Sequence, residues 1–113
     1  MMEIFGQPSA ETLAAAGSAR QLLEQALKEK DVRKRIVGLS QGFAFMRDKV
    51  SPAQVGLDLV SKGVQSFLKV KRRFTKDGDD LEWKQILSES GCTDGLEECV
   101  DRWRSAFKMV MFM

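Results

Sequence analysis

Residues 51–76, SPAQVGLDLVSKGVQSFLKVKRRFTK, read as one long helix that is apolar on one side and basic toward its end. Ser51, Pro52 and Gln54 supply the start signal. The serine oxygen accepts from a free backbone N–H, proline suits the first helical position, and a glutamine at the third reaches back to the cap. Leu57, Val60, Val64, Phe67 and Leu68 then recur at spacings of three and four, which puts them on one face. Asp58, Lys62, Gln65, Lys69, Arg72 and Lys76 fall on the opposite side. One face needs a core; the other needs water or an anion.

The stretch before it carries the same pattern with more regularity. In residues 31–50, Val32, Ile36, Leu39, Phe43, Met46 and Val50 step alternately by four and three, which predicts a second amphipathic helix. The alanine- and leucine-rich residues 9–28 form a third, with a narrow seam of Ala16, Ala19, Leu23, Ala26 and Leu27. Projected forward, that seam lands on Lys30 and Lys34 and misses Val32 and Ile36. The apolar face therefore changes phase near residues 28–31, either at a break capped by Asp31 or within one long bent helix. Gly38 and Gly42 lie beside the stripe of residues 31–50, and Gly56 and Gly63 beside that of residues 51–76. Either these are flat strips that pair the two helices closely, or they are tolerated helix glycines that cost about 1 kcal/mol each relative to alanine.

Beyond Phe74, the sequence TKDGDDLEW reads as a turn and a helix start with Asp79 or Asp80 as cap. A short helix presents Trp83, Ile86 and Leu87, and Gly91 to Gly95 interrupt it. The four-three step returns at Leu96, Val100, Trp103, Phe107 and Val110. Glu97 and Glu98 open this last helix and Lys108 lies near its end, which suits the helix dipole; Glu98 is one turn from Arg102.

These elements predict an all-α fold: a compact single-domain bundle of about five helices, near 9–28, 31–50, 52–74, 80–89 and 95–112. Connections are short and sequence neighbours antiparallel. The expected core is Leu23, Leu27, Ile36, Leu39, Phe43, Leu57, Val60, Val64, Phe67, Ile86, Val100, Trp103 and Phe107. Residues 1–8 read as an unstructured lead-in. The apolar MVMFM at the end suggests a piece of a longer protein.

A chain of 113 residues accommodates one domain with its own core. Apolar residues at 43% and charged residues at 30%, with two prolines, argue against disorder and against a many-turned sandwich. No apolar run is long enough to span a membrane, and no signal peptide is recognisable, so an intracellular location, cytoplasmic or nuclear, is expected. Cys92 and Cys99 read as two reduced thiols, with a disulfide as the lesser alternative.

The residue inventory narrows the chemistry. Without a single histidine or tyrosine, the chain lacks the commonest acid–base groups and many metal ligands, and it has neither a nucleophile elbow nor a phosphate-cradling loop. Asp77, Gly78, Asp79 and Asp80 lack the glycine and glutamate positions of a calcium loop. The expectation is a chain that is no enzyme, with no metal, no cofactor and no small-molecule substrate.

Charge is the functional lead. The net +2 conceals +9 over residues 28–76, −5 over residues 77–113 and −2 over residues 1–27. Lys69, Arg72, Arg73 and Lys76 end a helix, where the dipole favours cations and accounts for part of the cluster. Lys30, Arg33, Lys34 and Arg35 gather at a helix start, where it does not. These eight form the candidate interaction surface, with Asp79, Asp80, Glu82, Glu97 and Asp101 as its acidic counter-surface. The expected function is protein–protein interaction or self-assembly through these opposed surfaces. The alternative is an anionic-surface binder, engaging acidic lipid or a nucleic-acid backbone, for which Phe43, Phe45 and Met46 beside Arg47 and Lys49 offer insertion material.

Overall fold

In the computed structural model, which describes residues 10–78, 80–91 and 95–111, Asp31 and Ser51 cap helix starts with their side chains, whereas Asp80 precedes its helix without a side-chain cap bond. Asp31 accepts from the backbone N–H groups of Arg33 at 2.9 Å and Lys34 at 3.2 Å. This cap separates α1 (Ala10–Lys28) from α2 (Val32–Lys49), so the phase change is a true break. Ser51 and Gln54 form a reciprocal capping box: the Ser51 oxygen accepts from the Gln54 N–H, and the Gln54 side chain accepts from the Ser51 N–H at 2.9 Å.

The helix begun by that box is short. Residues 52–74 were expected to form a single helix, but they divide into α3 (Pro52–Val55) and α4 (Leu57–Thr75). Gly56 stands between them at φ 127°, ψ 111°, a region that a Cβ disfavours. The next residues are α5 (Leu81–Ser90), stopped by left-handed Gly91 at φ 72°, and α6 (Leu96–Met111). The protein is an all-α bundle with six helices among the described residues. The expected lead-in at 1–8, the Asp79 cap, Cys92 and the side chains of the terminal MVMFM lie outside the described residues, while Cys99 is a half-buried free thiol.

The core forms where the apolar stripes meet. Ala19, Leu23, Ile36, Leu39, Phe43, Met46, Val60, Val64 and Phe67 are buried, together with Trp83, Ile86 and Val100. Phe67 links the aromatic residues, with its ring centroid 5.7 Å from Phe43 and 5.2 Å from Trp83, both edge-on. Phe43 also lies 5.7 Å from Trp103. Phe43 and Met46 are wholly enclosed, and Phe45 is half-buried beneath Lys49 Nζ at 5.2 Å, so this trio is not free to enter a bilayer.

The glycine strip of α2 faces a different helix from the one its position suggested. A Cβ on Gly38 would sit 2.9 Å from Ala26 Cβ, and one on Gly42 would sit 2.8 Å from Leu23 Cδ2. Gly38 and Gly42 thus bring α2 against α1, with residue numbers running in opposite directions, and not against α4. Gly63 does face α2, where its Cβ would be 3.1 Å from Phe43 Cζ. Gly56 is a turn residue and forms no contact strip.

Four expected core residues are incompletely covered. Leu27, Trp103 and Phe107 are half-buried, and Leu57 is 50% exposed. Helical periodicity determines the direction of a side chain around the axis; it does not say how far along the axis the covering helix reaches. Near the start of α4, Leu57 shares an open depression with exposed Ala106 and half-buried Phe107 of α6.

Candidate interaction surface

Of the acids expected to form a counter-surface, Glu82 and Glu97 join helices within the fold. Glu97 Oε1 lies 2.8 Å from Lys71 Nζ and accepts from the Trp83 indole N–H at 3.0 Å, tying α6 to both α4 and α5. Glu82 is 3.0 Å from Arg33 Nη2, and Glu89 3.4 Å from Arg33 Nη1, so this arginine joins α2 to α5. Asp80 holds Lys84 one turn on at 3.4 Å. Asp101 makes no ion pair among the described residues, and Glu98 is not joined to Arg102.

The basic candidates divide into two groups. Arg33 is consumed as described, and half-buried Arg35 donates from Nε to the Glu29 carbonyl at 2.8 Å, latching the corner between α1 and α2. These two cations near a helix start are held by a carboxylate pair and a carbonyl, which accounts for their position against the dipole. Lys30 and Lys34 are exposed and unpaired among the described residues, as are Lys69, Arg72, Arg73 and Lys76. The last four occupy the C-terminal half of α4 and the residue just beyond it, on the face turned from the core.

Arg72 belongs to a larger arrangement. Helices α4 and α6 run antiparallel: Phe107 faces Ser61 and Gln65, while Asp101 and Arg104 face Leu68 and Arg72. Their seam is an open groove made of adjoining depressions. One, of about 440 Å³, has Val64, Leu68 and Phe107 beneath Arg72, Arg104 and Lys108. Another, of about 470 Å³, shares Ser61, Gln65 and Phe107 and continues to Leu57 and Ala106. Toward the end of α4 the groove carries Lys71, Arg72 and Arg104 beside Asp101; toward its start it is mainly apolar, with the paired Asp58 and Lys62 also lining it.

Arg104 and Lys108 were not among the sequence candidates. Their signal was the spacing of four, which places both on one edge of α6; joining them to Arg72 required knowing that α6 returns antiparallel along α4. Among the described residues, no group of three metal-ligating side chains occurs, and no helix is long and apolar enough to cross a membrane. No protein-family model, curated protein or solved structure matches the chain.

Proposed function

We propose that this chain is a non-catalytic interaction module that engages an acidic protein partner through the cations of α4 and α6. The supporting observation is the imbalance in ion pairing. Asp80, Glu82 and Glu97 are committed within the fold, whereas Lys69, Arg72, Arg73, Lys76, Arg104 and Lys108 have no ion-pair partner among the described residues. Assembly of identical copies through opposed charges would have to draw on the few exposed acids left unpaired among the described residues, such as Glu98 and Asp101. A separate acidic partner needs only the cations that remain, and their attraction would set orientation and association rate.

Arg72→Glu combined with Arg73→Glu tests this reading, because both residues are exposed and their replacement leaves the core untouched. The measurement is anisotropy of a labelled helix-forming peptide of leucine and glutamate, with circular dichroism to check helicity. Binding should fall at least about tenfold in the variant, corresponding to loss of about 1.4 kcal/mol. Equal binding by both proteins refutes it. A light-scattering mass that rises with concentration and falls with salt indicates self-assembly instead; salt-sensitive retention on acidic vesicles or a DNA duplex, without peptide binding, indicates the anionic-surface alternative.

A further inference from the structure

The groove between α4 and α6 has a composition that narrows the partner's form. Its apolar side chains lie at two levels: Val64 is buried, Leu68 and Phe107 are half-buried, and Leu57 is half-exposed at the far end. Leu57 and Phe107 carry the apolar periodicity of their helices, yet no element among the described residues completes their cover. Arg72 on α4 and Arg104 on α6 stand at the other end, while Lys108 flanks Phe107 midway along the seam.

We infer that this groove is the docking site for an amphipathic helix of a partner protein, with leucine-like side chains toward Leu57, Ala106 and Phe107 and carboxylates toward Arg72, Arg104 and Lys108. The inference rests on the proposed function above and specifies its site. The length is suitable: from Leu57 to Thr75, α4 rises about 27 Å at about 1.5 Å per residue, enough to lie alongside a partner helix of four to five turns, roughly 15–18 residues. A helix entering a seam between two others meets side chains on both flanks, as in helix-in-groove recognition.

The same layout disfavours the other occupants. A nucleic-acid backbone would use the cations and leave the apolar floor without a counterpart. A bilayer surface would meet the cationic edges before it reached Leu68 and Phe107 at the bottom. A second copy could present only the few acids left unpaired among the described residues, such as Glu98 and Asp101, of which Asp101 lies in the same seam.

The experiment uses two labelled peptides of identical leucine and glutamate composition. In one, the leucines fall at i, i+3, i+4 and i+7; in the other they are dispersed around the helix. The intact chain should bind the first about tenfold more tightly than the second, a difference within reach of one well-buried leucine contact. Ala106→Trp fills the apolar end without changing charge, and Leu57→Ala removes an anchor from a half-exposed position; each should erase the preference while retaining native helicity. Arg104→Glu with Lys108→Glu should weaken both peptides.

Equal affinity for the two peptides, or a preference that survives both Ala106→Trp and Leu57→Ala, overturns groove docking while leaving a charge-selected partner in place. Failure of both peptides to bind overturns both readings. A self-associated mass, or acidic vesicles bound in an Ala106→Trp-sensitive manner without peptide binding, assigns the groove to a different occupant and overturns the inference.

Discussion

Replacing Gly38 with alanine should destabilise the protein, although the same change at Gly17 should stabilise it. Both glycines lie inside helices, where alanine is favoured by about 1 kcal/mol through a smaller loss of backbone entropy. At Gly17 nothing stands within 4 Å of the added Cβ, so the gain should appear nearly in full. At Gly38 the new Cβ would be 2.9 Å from Ala26 Cβ and 3.6 Å from Ala26 Cα. Ordinary carbon contacts lie at about 3.5–4.0 Å, so α1 and α2 must separate locally by roughly 0.6–1 Å. The obstructing atom is fixed to the backbone and cannot rotate aside. Overpacking of this kind costs about 1–3 kcal/mol. Subtracting the helix gain leaves Gly38→Ala less stable by about 0–2 kcal/mol, and the two variants apart by about 1–3 kcal/mol.

Urea unfolding followed by circular dichroism measures the difference, with an unchanged slope confirming that only stability has moved. For a domain of this size, each 1 kcal/mol corresponds to about 4 °C in Tm, which gives a second readout. Ala26→Gly should partly rescue Gly38→Ala by removing the opposing Cβ, so the double-mutant cycle should show a favourable coupling of at least about 0.5 kcal/mol. If Gly38→Ala is as stabilising as Gly17→Ala and shows no coupling to Ala26, the close contact of α1 with α2 is wrong.

Three further substitutions test other parts of the fold. Gly56→Ala should cost about 1–3 kcal/mol in the same urea assay, because φ 127° is strained for any residue with a Cβ even though open space surrounds it. Ser40→Ala should raise stability by about 1 kcal/mol, since the fully buried Ser40 hydroxyl has no hydrogen-bond partner among the described residues; a loss of stability would show that the oxygen is satisfied. Glu97→Ala should cost about 1–3 kcal/mol by stranding the buried Trp83 N–H, whereas Glu97→Gln, which retains an acceptor, should cost less than about 1 kcal/mol; equal losses would put the energy in the Lys71 ion pair instead.

Where a local rule governed the outcome, the sequence was readable. The capping box at Ser51, the Asp31 cap and the stripe from Ile36 to Met46 depend on contacts within a turn or two, and each forms as its spacing indicates. The break at Gly56 was not read, because a glycine within an apolar pattern is compatible with both a continuous helix and a turn. Only the backbone distinguishes them. The partner of the Gly38 and Gly42 strip was misread for a related reason: small residues indicate that a helix comes close, but not which one.

The groove was hidden by the way its parts are distributed. Arg72 appeared to serve the end of its own helix, as did Lys108, and Leu57 and Phe107 each looked like ordinary members of a core stripe. Every one of those local interpretations accounts for its residue alone. What they omit is that two stripes lying antiparallel can cover each other at one end and diverge at the other, bringing the uncovered apolar residues and the spare cations of both helices along one seam. At that seam, Leu57 keeps half its surface while Val64, two turns further along α4, keeps almost none. Exposure therefore rises along one stripe of α4 from Val64 toward its start. A partner helix that bound there would bury the remainder of Leu57, so protection of the Leu57 end of the groove from solvent on peptide binding, detected by hydrogen exchange of the first turns of α4, should accompany the loss of affinity in Ala106→Trp. Protection confined to the Arg72 end would instead indicate contact through charge alone.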